Sequence, residues 1–279
     1  MRAAIAAGKS NATGNHVRKV LSAIFTYAIR MQCYSGNNPA VAVEALPEKP
    51  VRRVRVLSAG QFLQLWEDLK EPAKSMVLVA MCLSPNVSEL LGLTERHLNF
   101  TGTDQHLDGE DTVPAHSIAI REHLYVGHRD TLKAKARYRN LPMPAELEQA
   151  LRDLVESNKT RGPDAPVFQS GIGTPASAEN LLDRVLQPAA ARLRAKDISF
   201  PHVTWRGLRH SHATLTKDAR MSRYDRMRLI GHQQGTITDD TYTHETPEDH
   251  ARLRREVERV MAMIAGRAVE RSKVVSIGG

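Results

Sequence analysis

The chain of 279 residues carries a formal net charge of +8, and 41% of its residues are hydrophobic. This length and composition fit a folded protein of one large domain or two smaller ones, and no apolar run approaches the ~20 residues that a membrane-spanning helix needs. The two cysteines, Cys33 and Cys82, are too few for a disulfide framework, so a cytoplasmic protein is expected. The excess of positive charge indicates a polyanionic partner.

The positive charge is concentrated at the start of the chain, where residues 1–60 hold nine Lys or Arg and two acidic residues. Residues 1–46 are predicted to form a small helical domain, and residues 47–56, with two prolines and four positive charges, an exposed basic linker. An amphipathic helix is predicted over 11–34, because apolar residues recur there at three- and four-residue steps. These residues are Val17, Val20, Leu21, Ile24, Phe25, Ala28 and Ile29.

A larger domain is predicted over residues 57–265, followed by a flexible tail at 266–279 that has no apolar periodicity. Apolar residues in the segment 116–142 (Ile118, Ile120, Leu124 and Val126) predict strands, so the expected fold class is mainly α with a small antiparallel β-sheet. Helices are predicted after Ser58 and at about 73–83, 87–93, 144–157, 177–195, 204–217, 221–230 and 247–265.

Several polar motifs follow one another in this larger domain. They are VSELLGL (87–93), LKAKARYRNLPMP (132–144), RGLRHSHATL (206–215), IGH (230–232) and DTYTH (240–244). In this order they resemble the catalytic domain of the tyrosine recombinases, or phage integrases. In that family an arginine precedes a Ser/Gly-Glu-Leu helix, a lysine lies in a β-hairpin, and His-x-x-Arg, Gly-His and a tyrosine nucleophile follow.

The resemblance implies the DNA breaking-rejoining catalytic fold over 57–265. It also implies that the helix at 11–34 ends a core-binding clamp, which is partial here because 1–46 is shorter than the family's clamp domain. The catalytic residues that it implies are the nucleophile Tyr242, the phosphate-binding Arg209 and His232, and Lys133 as the acid for the leaving oxygen.

Two positions depart from the family pattern. Asn86 stands where the family has its first arginine, and Arg206 stands where it has the histidine of His-x-x-Arg. Loss of one preorganised donor typically costs ~10²–10³ in rate. Because Arg206 lies three residues before Arg209, on the same helical face, our hypothesis is that Arg206 partly restores the missing positive charge.

The chemistry of these residue types fits strand cleavage without a cofactor. A tyrosine hydroxyl has a pKa near 10, so it becomes a nucleophile only when positive charge and donors surround it. Attack by Tyr242 on a DNA phosphodiester would give a 3′-phosphotyrosine that keeps the bond energy, so no cofactor or metal ion is expected. A polar, threonine-rich segment suits a tyrosine that must be presented to DNA.

Double-stranded DNA is the expected partner, at the nucleoid. The resemblance also implies that copies assemble in a tetrameric synapse through helix 247–265, whose apolar stripe is otherwise explained by core packing. Backbone phosphates are expected to be contacted by basic residues of the N-terminal part and of the lysine hairpin. These are Arg18, Lys19, Arg30, Arg52, Arg53, Arg55, Lys135, Arg137 and Arg139.

Two other functions are compatible with the same residues. The first is a catalytically impaired relative that only binds DNA, because Asn86 lacks a guanidinium. The second is a nickase similar to type IB topoisomerases, which shares the nucleophile and the cationic site but acts as a monomer.

Overall fold

The structure is a computed structural model that describes residues 8–48, 55–107, 111–132, 138–231 and 246–266. The chain divides into two compact units, Met1–Arg53 and Val54–Gly279, and the division falls inside the segment that the sequence predicts to be a linker. Every helix in the described ranges is too short or too polar to span a lipid bilayer.

The first unit is built on helix α1 (Asn11–Arg30) and on the chain that returns beside it. The Asn15 amide donates to the Leu46 carbonyl at 2.9 Å and accepts from the Leu46 N–H at 2.8 Å. Further along, the Asn38 amide donates to the carbonyl of Ser22 at 2.9 Å. The returning segment is therefore fixed by amide hydrogen bonds along one face of α1.

The apolar side chains of α1 lie on another face, because successive residues of a helix are turned by about 100°. Val20, Leu21, Ile24 and Tyr27 are all exposed. The helix ends at Arg30 rather than at residue 34 as predicted, since Gln32 takes a left-handed conformation with φ 56°.

The second unit is mainly helical. Its helices are α2 (Ala59–Asp68), α3 (Ala73–Leu83), α4 (Val87–Gly92), α5 (Ala145–Ser157), α6 (Ala178–Leu181), α7 (Gln187–Lys196), α8 (Trp205–Asp218), α9 (Arg223–Ile230) and α10 (Pro247–Ile264). A π-helical turn, Leu182–Leu186, joins α6 to α7. Every residue of α3 except Lys74 is buried, so α3 forms the centre of the core, and α8 packs against it. These helices confirm the predicted class and most of the predicted bounds.

The strands are short. They are β1 (Leu98–Asn99), β2 (Gln105–His106), β3 (Thr112–Val113), β4 (Ser117–Ile120), β5 (Glu122–Tyr125), β6 (His128–Thr131) and β7 (Arg139–Pro142). The order β1-β4-β7 forms an antiparallel sheet in which Ile118 pairs with Leu98 on one side and Leu141 on the other.

The predicted small antiparallel sheet is accompanied by two separate strand pairs, because β2 pairs only with β3 and β5 only with β6 within the described residues. Val126, predicted to lie in a strand, forms the β5–β6 turn with Gly127, at φ values of 47° and 78°.

Candidate active site

Arg209 lies on α8, which is held at both its start and its middle. Thr204 caps the helix, its hydroxyl accepting from the Gly207 N–H at 2.8 Å. His212 Nδ1 lies 2.8 Å from the Met81 carbonyl of α3, and both groups are buried. The backbone that carries Arg209 is therefore fixed against the centre of the core.

The Arg209 guanidinium is oriented by two backbone carbonyls. Nη1 donates to the carbonyl of Ser84 and Nη2 to that of Ile230, each at 2.7 Å. Ser84 ends α3 in a left-handed conformation, with φ 58°. Burial lowers the pKa of Arg209 below its ordinary value, although the charge of Glu89 acts in the opposite direction, and an arginine keeps its proton under all ordinary conditions.

Asn86 begins helix α4, two residues after Ser84. The Asn86 N–H donates to Glu89 Oε2 at 2.9 Å, the return half of a capping box. The Asn86 side chain is exposed. Asn86, which the motif order aligns with the first arginine of the family pattern, therefore lies two residues from the carbonyl that holds Arg209.

Glu89 is buried and paired with Arg139 of β7. Arg139 Nη2 lies 2.7 Å from Glu89 Oε2, and the side chains are 10% and 4% exposed, respectively. Burial alone would raise the pKa of Glu89, but the Arg139 charge and hydrogen bond, the Asn86 N–H and the Arg209 charge together hold it below its usual range. Two guanidinium groups and one carboxylate thus form a cluster with one net positive charge.

The same cluster holds the end of helix α9. Arg139 Nε donates to the Leu229 carbonyl at 3.2 Å, next to the Ile230 carbonyl that Arg209 binds. Gly231 then ends the helix at φ 71°. Because the last carbonyls of a helix have no partner within it and carry partial negative charge, the two arginines satisfy the end of α9 immediately before His232 in the chain.

Helix α10, which follows residue 245, is tied back to the same part of the unit. Arg252 Nη2 lies 3.0 Å from Asp225 Oδ1 of α9, and His250 Nε2 lies 2.8 Å from the Ser117 hydroxyl of β4. The helices on either side of 232–245 are therefore linked to each other.

Arg206 does not follow the arrangement that its spacing suggested. Its side chain is exposed, and its Nε contacts His210 Nε2 at 3.4 Å, one turn further along α8. The second guanidinium whose charge acts on Arg209 is that of Arg139. This geometry gives no support to the hypothesis that Arg206 replaces the missing arginine.

The other predicted residues fall into three groups: exposed residues, residues with partners inside the protein, and residues outside the described ranges. Lys19, Arg30 and Arg55 are exposed, whereas Arg18 is partly buried and donates to the Val43 carbonyl at 3.1 Å. Arg139, predicted as a surface phosphate contact, is instead paired inside the cluster. Seven predicted residues lie outside the described ranges: Tyr242, His232, Lys133, Lys135, Arg137, Arg52 and Arg53.

The apolar stripe of α10 belongs to the core of its own unit. Leu253, Val257 and Val260 are fully buried, and α10 packs on α2, α3 and β7. The sequence allowed two interpretations of this stripe, self-association and core packing. Core packing is the one that describes these side chains.

Sequence reasoning missed the role of Glu89 and the inward direction of Arg139. The only sequence indication was an acidic residue among the apolar residues of VSELLGL, a segment otherwise expected to be buried. In the parts of the chain that the structure describes, no group of His, Cys, Asp and Glu side chains is placed to hold a metal ion.

Comparison with known proteins supports the assignment of the fold. No family model matches the chain. The integrase of Staphylococcus phage L54a is 25% identical over 142 residues, which are 48% of this chain and 39% of that protein. The aligned part therefore spans well under half the length of that relative.

Solved structures match over most of the chain. The Tn1549 transposon integrase in complex with transposon right end DNA has a TM-score of 0.67 at 22% identity, covering 93% of this chain and 82% of that one. A lambda integrase tetramer bound to a Holliday junction has a TM-score of 0.55 at 18% identity, covering 88% and 64%.

The fold is thus that of the Tn1549 transposon and lambda integrases. It is the tyrosine recombinase fold that the sequence motifs predicted.

Proposed function

We propose that this chain is a site-specific DNA recombinase, an integrase of a phage or another mobile element, with Tyr242 as its nucleophile. The observation that carries this proposal is the cluster of buried Glu89 with Arg139 and the partly buried Arg209. It lies where the chain enters His232, within a fold shared with DNA integrases. Such a concentration of fixed donors suits the extra negative charge of a phosphoryl-transfer transition state.

Arg209 is the residue best prepared to bind the scissile phosphate. Its plane is fixed by the carbonyls of Ser84 and Ile230, so little reorganisation is needed when the substrate arrives. A guanidinium offers five N–H donors in a rigid fork, and a fork suits the non-bridging oxygens of a phosphate.

The proposed reaction is a direct exchange of phosphate esters. The Tyr242 oxygen attacks phosphorus as its hydroxyl proton passes to water, and the bond between phosphorus and the 5′ oxygen breaks. Lys133 gives a proton to that leaving oxygen and regains one from water. His232 donates to the phosphate. Rejoining reverses the step when a 5′ hydroxyl attacks the 3′-phosphotyrosine, so atoms and electrons balance without ATP or a metal ion.

The first unit would contribute unspecific contacts to the DNA backbone. Its exposed Lys19 and Arg30, together with Arg52, Arg53 and Arg55 of the basic linker segment, are the proposed phosphate contacts, so affinity should fall steeply as salt rises. Recombination between two sites also requires that copies of the chain pair on DNA. Because the stripe of α10 is buried within one unit, such pairing would have to use other surfaces.

The central test is the formation of a covalent protein–DNA complex. The probe is a pool of nicked suicide duplexes of random sequence, from which covalently bound DNA is recovered after denaturation and sequenced. We expect a slowly migrating band with the natural chain and none with Tyr242→Phe. Tyr125→Phe is the matched control, since Tyr125 lies exposed on β5. A band that survives Tyr242→Phe contradicts the nucleophile assignment.

One observation favours a second function, a DNA-binding protein with little or no cleavage. Asn86 offers a neutral amide where the family has an arginine. If this second function is correct, the natural chain binds duplex DNA and slows its migration in a native gel but forms no covalent band. The variant Asn86→Arg then forms such a band. The second function is contradicted if the natural chain cleaves DNA and Asn86→Arg raises the cleavage rate by less than about tenfold. A missing donor typically lowers the rate by more than that.

A further inference from the structure

We propose that Arg139 is a positioning residue of this site: its guanidinium, paired with Glu89, fixes the turn at Gly231, where helix α9 ends immediately before His232 in the chain. This inference rests on the proposed function, because positioning matters there only if His232 acts on a phosphate. It differs from the sequence prediction, in which Arg139 contacts DNA from the surface.

The first support is the set of bonds that fixes the Arg139 guanidinium. Nη2 and Nη1 face the two oxygens of Glu89 at 2.7 and 3.3 Å, and Nε faces the carbonyl of Leu229 at 3.2 Å. Donors on different edges of one rigid plane thus join helix α4 to the end of α9. A lysine could keep the charge but could not make both contacts with the same geometry.

The second support is the fit between Arg139 and Gly231. A Cβ atom added to Gly231 would lie 2.7 Å from Arg139 Nη1 and 2.9 Å from its Cζ. Gly231 also takes φ 71°, which side-chain-bearing residues rarely adopt. Position 231 thus needs glycine both for its backbone conformation and because the guanidinium packs directly against it.

The third support is the pairing of the two arginines along α9. Arg139 holds the carbonyl of Leu229 and Arg209 holds the next one, of Ile230. The chain then passes through Gly231 into His232. Because Arg139 pairs directly with buried Glu89 and the charge of Arg209 also acts on that carboxylate, a change at Arg139 alters both the support of the turn at Gly231 and the charge near Arg209.

The test separates geometry from charge. Arg139→Lys keeps the charge and loses the planar fork, whereas the double variant Arg139→Met, Glu89→Leu removes the buried pair together and so avoids an unpaired carboxylate. Arg129→Lys is the matched control, since Arg129 of β6 also pairs with a carboxylate, that of Glu122 in β5, at 3.0 Å. Two quantities are measured: the rate of covalent complex formation on the recovered duplex, and the NMR resonances of the Gly231 amide and the His232 imidazole.

With Arg139→Lys we expect the cleavage rate to fall by at least about tenfold, as displaced catalytic groups do, and the Gly231 and His232 resonances to shift. The double variant, which retains no pair to hold the turn, should show the same shifts. Arg129→Lys should change neither quantity.

Unchanged resonances in both Arg139 variants would overturn the inference, even if cleavage falls, because Arg139 would then act without moving the turn. Shifted resonances with cleavage within twofold of the natural chain would overturn it as well. If the natural chain forms no covalent complex, the proposed function fails by itself, and the resonances still decide whether Arg139 fixes the turn.

Discussion

Helices α1 and α10 have similar lengths and similar apolar stripes but opposite surroundings. In α10, Val257 and Val260 are 0% exposed, whereas in α1 Ile24 is 55% and Tyr27 63% exposed. The sequences of the two helices do not predict this difference, since apolar residues recur at the helical period in both. Periodicity therefore predicts that a helix forms and which face is apolar, but it does not predict what covers that face.

The reason lies in the segments around each helix. Chain segments that are distant in sequence pack onto α10, and these contacts bury its stripe. The chain that returns beside α1 is held by the amides of Asn15 and Asn38, which bind polar groups and leave the apolar face uncovered. Matched substitutions on the two helices measure this contrast directly.

The largest effect is expected for Val257→Asp in α10. This change buries a carboxylate without a partner, so the free energy of unfolding should fall by more than about 4 kcal/mol. Urea-induced unfolding followed by circular dichroism measures the change. A loss below about 1 kcal/mol would show that the stripe of α10 is solvated in solution.

A smaller effect is expected from the buried histidine His212. Burial, together with the charges of Arg209 and Arg226, lowers its pKa to about 4, although the bond to the Met81 carbonyl acts in the opposite direction. The unfolded chain, with the ordinary value of about 6.5, binds the proton first as the pH falls. The stabilisation that comes from the neutral His212 imidazole is thus fully present above pH 6.5. Protonation of this group lowers the free energy of unfolding by about 2 kcal/mol between pH 7 and pH 5.

This pH dependence is measured by urea unfolding at both pH values. In His212→Leu the loss between pH 7 and pH 5 should be smaller than in the natural chain by that amount. An equal loss in both proteins would contradict the assignment to His212. The comparison concerns the change with pH, so any constant cost of the substitution cancels.

The smallest effect is expected for Ile24→Asp in α1, the counterpart of the first substitution. The side chain is exposed, and isoleucine and aspartate differ little in helix propensity, so the free energy of unfolding should change by no more than about 0.5 kcal/mol. The same urea titration measures it. A cost of several kcal/mol would mean that this face is covered in solution.

Much of the fold was predictable from the sequence, because the helices carry clear periodicity and the capping residues Ser58 and Thr204 mark their starts. The short strands were not, since β1 has two residues and β2 consists of the polar pair Gln105 and His106, which show no alternation. The motifs identified the fold, and their order alone assigned candidate roles to positions 86, 206 and 209, which stay predictions.

The interior of the site could not be predicted in the same way. Arg139 follows a run of basic residues that includes Lys135 and Arg137, so its neighbours suggest a solvated surface. Its actual partner, Glu89, lies 50 positions earlier and comes close only when α4, β7 and α9 meet. Local sequence describes a residue's neighbours in the chain, whereas burial and pairing depend on the folded contacts.

The fit between Gly231 and Arg139 has a consequence for how this sequence can diverge. With arginine at 139, a larger residue at 231 displaces the guanidinium, and the backbone conformation resists that residue as well. An alanine at 231 would be tolerated better once position 139 has become short. The two positions should therefore co-vary among chains of this fold, so that glycine at 231 accompanies arginine at 139 and both are replaced together.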